Sequence, residues 1–387
     1  MIIPMQTKTL KLRIKDKHAA WLRGLAREVN QVFNFCNEVS AKASSPYNSK
    51  PRWLSGYDLQ KLVAGSTKGE DALSIPSQTL QQVCEEYASR RKQFKKHKLR
   101  WRVSNPKSSK YSLGWLPFKK GTVVYKNGQI RYAGKLLSLW DSYSLGQFEL
   151  RAGSITEDSR GRWYLNVVVQ VESTNGNGTS ILGIDLGLKE AASCSDGQVL
   201  KSRWFREMEQ ALATAQRSGK KMRTKAIHAK IANRRKDAMH KLSTKLVKEN
   251  AAIFVGNVAS AKLVKTNMAK STLDAGWSMF KTMLEYKAQA AGVVFEEVNE
   301  AWSTQKCSAC GSIEGPKGRK ELYVRSWTCS CGAHHDRDVN AATNICAKGL
   351  AQLAISKAAE VEAGEPVLNK AQAEVGHGLP AEGILTL

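Results

Sequence analysis

The 387-residue sequence predicts a multidomain α/β chain, and three observations lead there. Strand-like alternation at Leu10, Leu12 and Ile14 returns between residues 121 and 175, with helix-spaced apolar stripes between the two regions. A polar stretch rich in Gly and Asn at 173–180 then gives way to new apolar strands from Ile181 onward. Finally, Cys307 with Cys310 and Cys329 with Cys331 enclose an insert of eighteen residues rich in Gly and Lys. That spacing is the pattern of a small zinc-held finger.

Composition narrows the function classes. A hydrophobic content of 42% can fill the cores of two or three domains. Sixty Lys and Arg against thirty-four Asp and Glu give a formal charge of +26, which calls for a polyanion as partner, nucleic acid ahead of an anionic membrane. No apolar run approaches the ~20 residues needed to cross a bilayer, and the opening MIIPMQTKTLKLR lacks an apolar signal-peptide region. The expected setting is cytoplasmic, close to nucleoid DNA, with no membrane partner. Four of the eight cysteines form the paired array and the others are scattered, which fits a reducing compartment with one metal site better than a disulfide scaffold.

Taken in order, the strand ending at Ile14 leads to Asp16, a candidate helix cap. Trp21, Leu22, Leu25, Val29, Val32, Phe33 and Cys36 then recur at helical spacing. Residues 44–76 read as a turn-rich loop, and a second helix is expected from Ser77 with Leu80, Val83, Cys84 and Tyr87 buried. From Arg90 to Lys120 there are twelve Lys or Arg and no acid, with five aromatics interspersed, a composition suited to phosphates and bases. Lys126-Asn127-Gly128 signals a hairpin in a small β-barrel that the N-terminal strand completes. In the second half, Asp185 lies inside the apolar strand ILGIDLG, where an acid is costly without a partner. The stretch 210–248 carries twelve Lys or Arg and one acid on helices with one apolar side. AAIFVGNV and GVVFEEVNE are two further strands, and the second delivers Glu300 to the edge of the cysteine array. Asp336 and Asp338 follow the array and lead into a helix.

Four segments occur in the order expected of TnpB: Asp185 in GIDLG, the basic helix ending in HKLSTKLV, the run STQKCSACG and the ending HDRDVNAATN. Over about residues 181–348 the chain resembles that family of transposon-encoded RNA-guided nucleases, which is similar to the compact type V CRISPR effectors. The resemblance implies a wedge-like β-barrel (1–20 and 106–175) interrupted by a helical recognition domain (21–105). It further implies an RNase H-like (RuvC) nuclease domain (176–302 and 336–350) with a zinc-finger insert (303–335), while the acidic, Gly- and Pro-bearing composition from Ala351 reads as a flexible tail (351–387). The implied partners are a guide RNA made from the transposon end and double-stranded target DNA opened beside a short flanking motif, with Mg²⁺ as the cutting cofactor.

Carried over one at a time, the family's three acids do not all match. Asp185 fits the first and Asp338 the third, but the Glu expected at the end of AAIFV meets Gly256 followed by Asn257. Some relatives resemble a rearranged version whose Glu comes from the neighbouring strand just before the finger. Glu300 in VNEAWST occupies that place, with Glu296 and Glu297 nearby and not separated by strand register alone. The expected Mg²⁺ ligands are therefore Asp185, Glu300 and Asp338. The expected Zn²⁺ ligands are Cys307, Cys310, Cys329 and Cys331, with His334 or His335 as a substitute should one thiolate fail to reach. The leading expectation is an RNA-guided DNA endonuclease. Gly256 motivates the rival, a nuclease-dead RNA-guided DNA-binding repressor, and a transposase acting without a guide is a third reading.

Overall fold

A computed structural model describes residues 5–172, 176–258, 263–317, 321 and 323–362. The chain divides into two compact units that part between Ser173 and Thr174. Most of the linker composition noted above packs against the second unit, since the Gly176 N–H donates to the Ala291 carbonyl at 2.7 Å; residues 173–175 lie outside the described ones.

The first unit is built on a seven-stranded antiparallel sheet. Its strands are β1 (Met5–Ile14), β2 (Trp115–Phe118), β3 (Val124–Lys126), β4 (Gln129–Tyr132), β5 (Lys135–Trp140), β6 (Leu150–Glu157) and β7 (Trp163–Glu172), in the order β2-β6-β7-β1-β5-β4-β3. Alternation buries Leu10, Leu12 and Ile14 on one face of β1, as the sequence requires. The strand enters the sheet at its centre, between β7 and β5, and the hydrogen-bonded order is open with β2 and β3 at its ends. Asn127 and Gly128 both adopt positive φ (45° and 76°), the geometry of a two-residue hairpin turn between β3 and β4.

Between β1 and β2 come α1 (Ala19–Ala43), α2 (Gly56–Leu62) and α3 (Ser77–Phe94). Two local expectations change. Asp16 caps no helix; it sits in a short 3₁₀ turn and pairs with Arg13 at 2.8 Å. The stretch expected to be all loop contains α2, because Ser55 accepts the Asp58 N–H and Asp58 accepts the Ser55 N–H, a reciprocal capping box. The basic run after α3 is tied down as well. Asn34 exchanges two hydrogen bonds with the Arg102 backbone (2.8 and 2.9 Å) and Asn37 two with that of Leu99 (2.8 and 2.9 Å), so α1 holds residues 99–102 extended along itself. Arg91 is buried, donates to Ser44 and stacks under Trp53 at 4.0 Å. Some of the charge that the sequence offers to a polyanion is thus spent inside the fold.

The second unit has a five-stranded sheet of β8 (Ser180–Asp185), β9 (Glu190–Cys194), β10 (Val199–Lys201), β11 (Asn250–Gly256) and β12 (Val294–Val298), ordered β10-β9-β8-β11-β12. Strands β8, β11 and β12 run parallel, and β9 turns back antiparallel on β8. On one face Leu182, Ile184, Ile253 and Val255 share a core with α4 (Glu209–Arg217), α5 (Lys221–Glu249) and α7 (Trp277–Ala291); the short α6 (Ala269–Ala275) precedes α7. The alternate residues Ala252 and Phe254 face α8 (Arg337–Glu362) and pack with its Ile345. Helix α8 runs to Glu362, so the beginning of the expected tail is helical; residues 363–387 lie outside the described ones.

Glycines let α8 lie flat on the sheet. A Cβ on Gly183 of β8 would stand 2.0 Å from the Ala342 carbonyl oxygen, and one on Gly349 of α8 2.1 Å from the Phe254 ring. Both obstacles are rigid. Gly183→Ala is therefore expected to destabilise the second unit by about 2–3 kcal/mol, the upper range for overpacking. Thermal unfolding reads this directly, and an unchanged midpoint would contradict the close approach.

Candidate functional site

The sheet register lines up the acid positions. Ile184 lies opposite Val255 and Gly256 opposite Val298, so the ends of β8, β11 and β12 stand side by side. In open α/β sheets the crevice beyond the carboxyl ends of the strands is where ligands collect. Alternation along β8 sends Gly183 and Asp185 to the same face, and the contact of Gly183 with Ala342 shows that this is the face covered by α8. Helix α8 begins there. Asp336 accepts the N–H groups of Asp338 (3.0 Å) and Val339 (2.9 Å) and so caps the helix, which leaves Asp338 in the first turn, where the helix dipole favours a negative charge.

Glu300 reaches the same place by folding back over Gly256. A Cβ at 256 would lie 2.9 Å from Glu300 Oε2 and 3.3 Å from Glu300 Cβ, with Ile345 Cδ1 at 3.1 Å. The carboxylate thus stands where a side chain at 256 would begin. Its loop is held from several sides: the Glu300 N–H donates to Asn257 Oδ1 at 3.3 Å, the Glu300 carbonyl accepts the Ser303 N–H at 3.1 Å, and Lys348 of α8 donates to the carbonyls of Asn299 and Ala301. Glu297 is engaged elsewhere, paired with Lys281 at 2.7 Å.

Crowding shows in the charges. Burial pushes the Asp185 carboxyl up to about 7, and the nearby charges of Asp338 and then Glu300 push the same way, against the opposing effect of Arg337. Burial also raises Glu300, with Lys281 opposing. Arg325 Nη1 donates to Asp338 Oδ2 at 3.2 Å. The three acids do not converge as tightly as the cysteines, which among the described residues form the one group of His, Cys, Asp or Glu with ligand atoms all within 4.8 Å. Oxygen donors that repel one another are the donor set a hard divalent cation relieves.

The sign of the pH effect follows. Asp185 binds its proton more tightly folded (about 7) than at its ordinary 3.8, so the folded state carries the extra proton in that window and stability falls as pH rises through it. Asp185→Asn is expected to raise the metal-free stability at pH 8 by on the order of 1–2 kcal/mol. The gain should shrink toward pH 4, and melting curves at the two pH values check it.

The cysteines form a second centre. Sγ atoms of Cys307 and Cys331 lie 3.8 Å apart and those of Cys310 and Cys329 3.6 Å apart. The edge of a tetrahedron with bonds of about 2.3 Å is about 3.8 Å, so the set fits one zinc. The Cys-x-Cys spacing is accommodated by the turn after β13 (Ser326–Thr328), which leads to β14 (His334–Asp336). Neither histidine is needed as a substitute ligand. His335 Nε2 lies 3.0 Å from the Cys307 sulfur, as an outer partner, and His334 Nδ1 lies 3.1 Å from Thr328 Oγ1.

Two buried asparagines join the centres. Asn340 accepts the Ser308 N–H (2.9 Å) and donates to the Lys306 carbonyl (2.8 Å), while Asn344 donates to the carbonyls of Ser303 (2.9 Å) and Lys306 (2.6 Å). The first cysteine knuckle is therefore clamped to the helix that carries Asp338. Sequence reasoning missed these clamps and the Arg325 partner, although the i, i+4 pair of asparagines in HDRDVNAATN was a usable signal.

Comparison with known proteins agrees with the motifs. Residues 164–267 match the family model described as a probable transposase (OrfB_IS605), and residues 277–345 match the Cas12f1-like TNB domain. A putative RNA-guided DNA endonuclease of Streptomyces pristinaespiralis is 33% identical over 264 residues, covering 63% of this chain and 65% of that protein. The putative RNA-guided DNA endonuclease InsQ of Escherichia coli (strain K12) is 27% identical, covering 54% of this chain and 59% of that protein. The CRISPR-associated endodeoxyribonuclease Cas12f1 of Sulfoacidibacillus thermotolerans is 26% identical, covering 56% and 57%. The matched region thus spans less than two thirds of each relative. The resemblance to TnpB read from the four motifs holds in both the family models and these relatives.

Proposed function

We propose that this chain is an RNA-guided DNA endonuclease of a transposon, with the three-acid end of the second sheet as its cutting centre. The observation that carries this reading is the Glu300 carboxylate folded over Gly256, on a strand row shared with Asp185, while Asp338 raises the same Asp185 carboxyl. In this reading the second unit is an RNase H-like (RuvC) nuclease with a zinc-finger insert, and the first a wedge sheet interrupted by recognition helices. The relatives named as RNA-guided endonucleases and the charge of +26 support a guide RNA and target DNA as partners. Base pairing would supply most of the sequence choice, and the short flanking motif would be read by the protein.

Mg²⁺ held by Asp185, Glu300 and Asp338 would supply phosphate-charge stabilisation and a water nucleophile near neutral pH. The chain's own groups prepare for it. Burial raises both Asp185 and Glu300, so the site disfavours their charged forms until a cation offsets the charge. Arg325 donates to the Asp338 carboxylate at 3.2 Å, so a cation held there would share that carboxylate with the guanidinium. The cysteine-held zinc is structural, with no open position.

The experiment is to sequence the RNA that co-purifies with the chain, then incubate the complex with guide-matched DNA with and without Mg²⁺. Mg²⁺-dependent cutting of matched DNA alone is expected. RNA retained without cutting would turn the reading into a guided repressor, and absence of any RNA would favour an unguided transposase.

A further inference from the structure

Between β12 and the first cysteine knuckle, the backbone of residues 299–306 is anchored along most of its length. Lys348 of α8 holds the carbonyls of Asn299 and Ala301, and Asn344 and Asn340 both donate to the Ser303 carbonyl. Trp302 stands in the middle of these anchors. Its carbonyl accepts the N–H groups of Gln305 and Lys306, each at 3.0 Å, which locks the backbone, yet the residue is 62% exposed. Its φ is +69°, in the left-handed region that bulky residues rarely enter and that costs on the order of 1 kcal/mol or more. Glycine or asparagine would satisfy this backbone with no exposed apolar ring. A strained tryptophan held out to solvent two residues from Glu300 contributes little to the core and calls for a partner outside the fold.

We propose that Trp302 is a positioning residue whose exposed ring stacks on an unpaired nucleobase and so steadies a single DNA strand beside Glu300. The inference rests on the nuclease reading above. An indole offers a large flat face, every nucleobase has a matching one, and only an unpaired base exposes it, so the ligand class is single-stranded nucleic acid and the contact tolerates any sequence. Phosphates flanking such a base meet a strongly basic chain, which supplies the complementary charge. The rigid anchoring matters because a stacking ring positions a strand only if its own loop does not move.

The test uses the full chain carrying Glu300→Gln, with Ca²⁺, and a mixed-sequence single-stranded deoxyoligonucleotide containing 2-aminopurine, so that neither cutting nor a guide is required. Stacking should quench the 2-aminopurine; Trp302→Ala should abolish the quench and weaken binding by roughly five- to hundred-fold, the range for one stacked base. Trp302→Phe should restore most of both, and the slope of log affinity against log salt should not change, because no phosphate contact is lost. Trp302→Gly should melt no lower than the parent, since the backbone strain is relieved; a lower midpoint would mean a packing role. An unquenched probe with the parent chain, or a Trp302→Ala variant that binds and quenches normally, overturns the proposal. Self-association that vanishes in Trp302→Ala without any quench would overturn it in favour of a protein contact. The nuclease reading fails separately, if Glu300→Ala cuts guide-matched DNA normally while the quench behaves as expected.

Discussion

Replacing Glu300 by alanine should reduce Mg²⁺-dependent cutting of guide-matched DNA by roughly 10²–10³-fold or more, as expected when one of three carboxylates is removed from a divalent-cation centre. DNA binding should be almost unchanged, because one acid among so many basic groups does not set the affinity for a polyanion. The second half of the result separates Glu300 from any other acid. Gly256 lies opposite the strand row of Asp185, and a Cβ there would begin 2.9 Å from the present Glu300 carboxylate. In the double variant Gly256→Glu with Glu300→Ala, the new side chain starts in the space that Glu300 has left, and its Cβ meets Ile345 Cδ1 at 3.1 Å. Partial recovery of cutting is expected. Gly256→Ala alone should instead impair cutting by displacing Glu300. Normal cutting by Glu300→Ala would remove this residue from the centre, and no recovery in the double variant would mean that the second carboxylate must approach from β12.

Zinc removal should be the other large effect, reaching beyond the finger. The four thiolates span the size of one tetrahedral ion, and structural zinc in small fingers contributes about 10–16 kcal/mol of apparent folding free energy. Without it the knuckle at 307–310 loses its centre, and Asn340 and Asn344 lose the backbone groups they hold around Ser303, Lys306 and Ser308. The start of α8, with Asp338 in its first turn, should then loosen. Cys307→Ser is expected to yield a chain with sub-stoichiometric zinc, faster amide exchange from 303 to 345 and at least ten-fold slower cutting. The parent should carry one zinc per chain by metal analysis. Full activity in a zinc-free chain would show that the finger and the acid centre are independent, contrary to the asparagine clamps.

The sequence by itself determined the strand at Leu10–Ile14, the stripes of α1 and α3, the hairpin at Asn127-Gly128 and the paired cysteines, because each depends on a period or a spacing a few residues long. It also marked Asp185 and Asp338, since an acid inside an apolar strand and an acid at a helix start stand out against their neighbours. Only the tertiary structure decided how Glu300 meets Asp185. Strand register alone did not separate Glu296, Glu297 and Glu300, for their order along one strand says nothing about the glycine on the next; packing placed Glu300 over Gly256 and turned Glu297 to Lys281. The charge runs behaved likewise. Composition showed a basic chain suited to a polyanion, but that Arg91 stacks on Trp53 and Arg102 donates to Asn30 depends on side chains from segments far apart in the chain, and that Arg325 stands against Asp338 depends on the pairing of β13 with β14. Local periodicity writes elements into a sequence, whereas a carboxylate's neighbours across a sheet are fixed only when three strands and a helix close on one another.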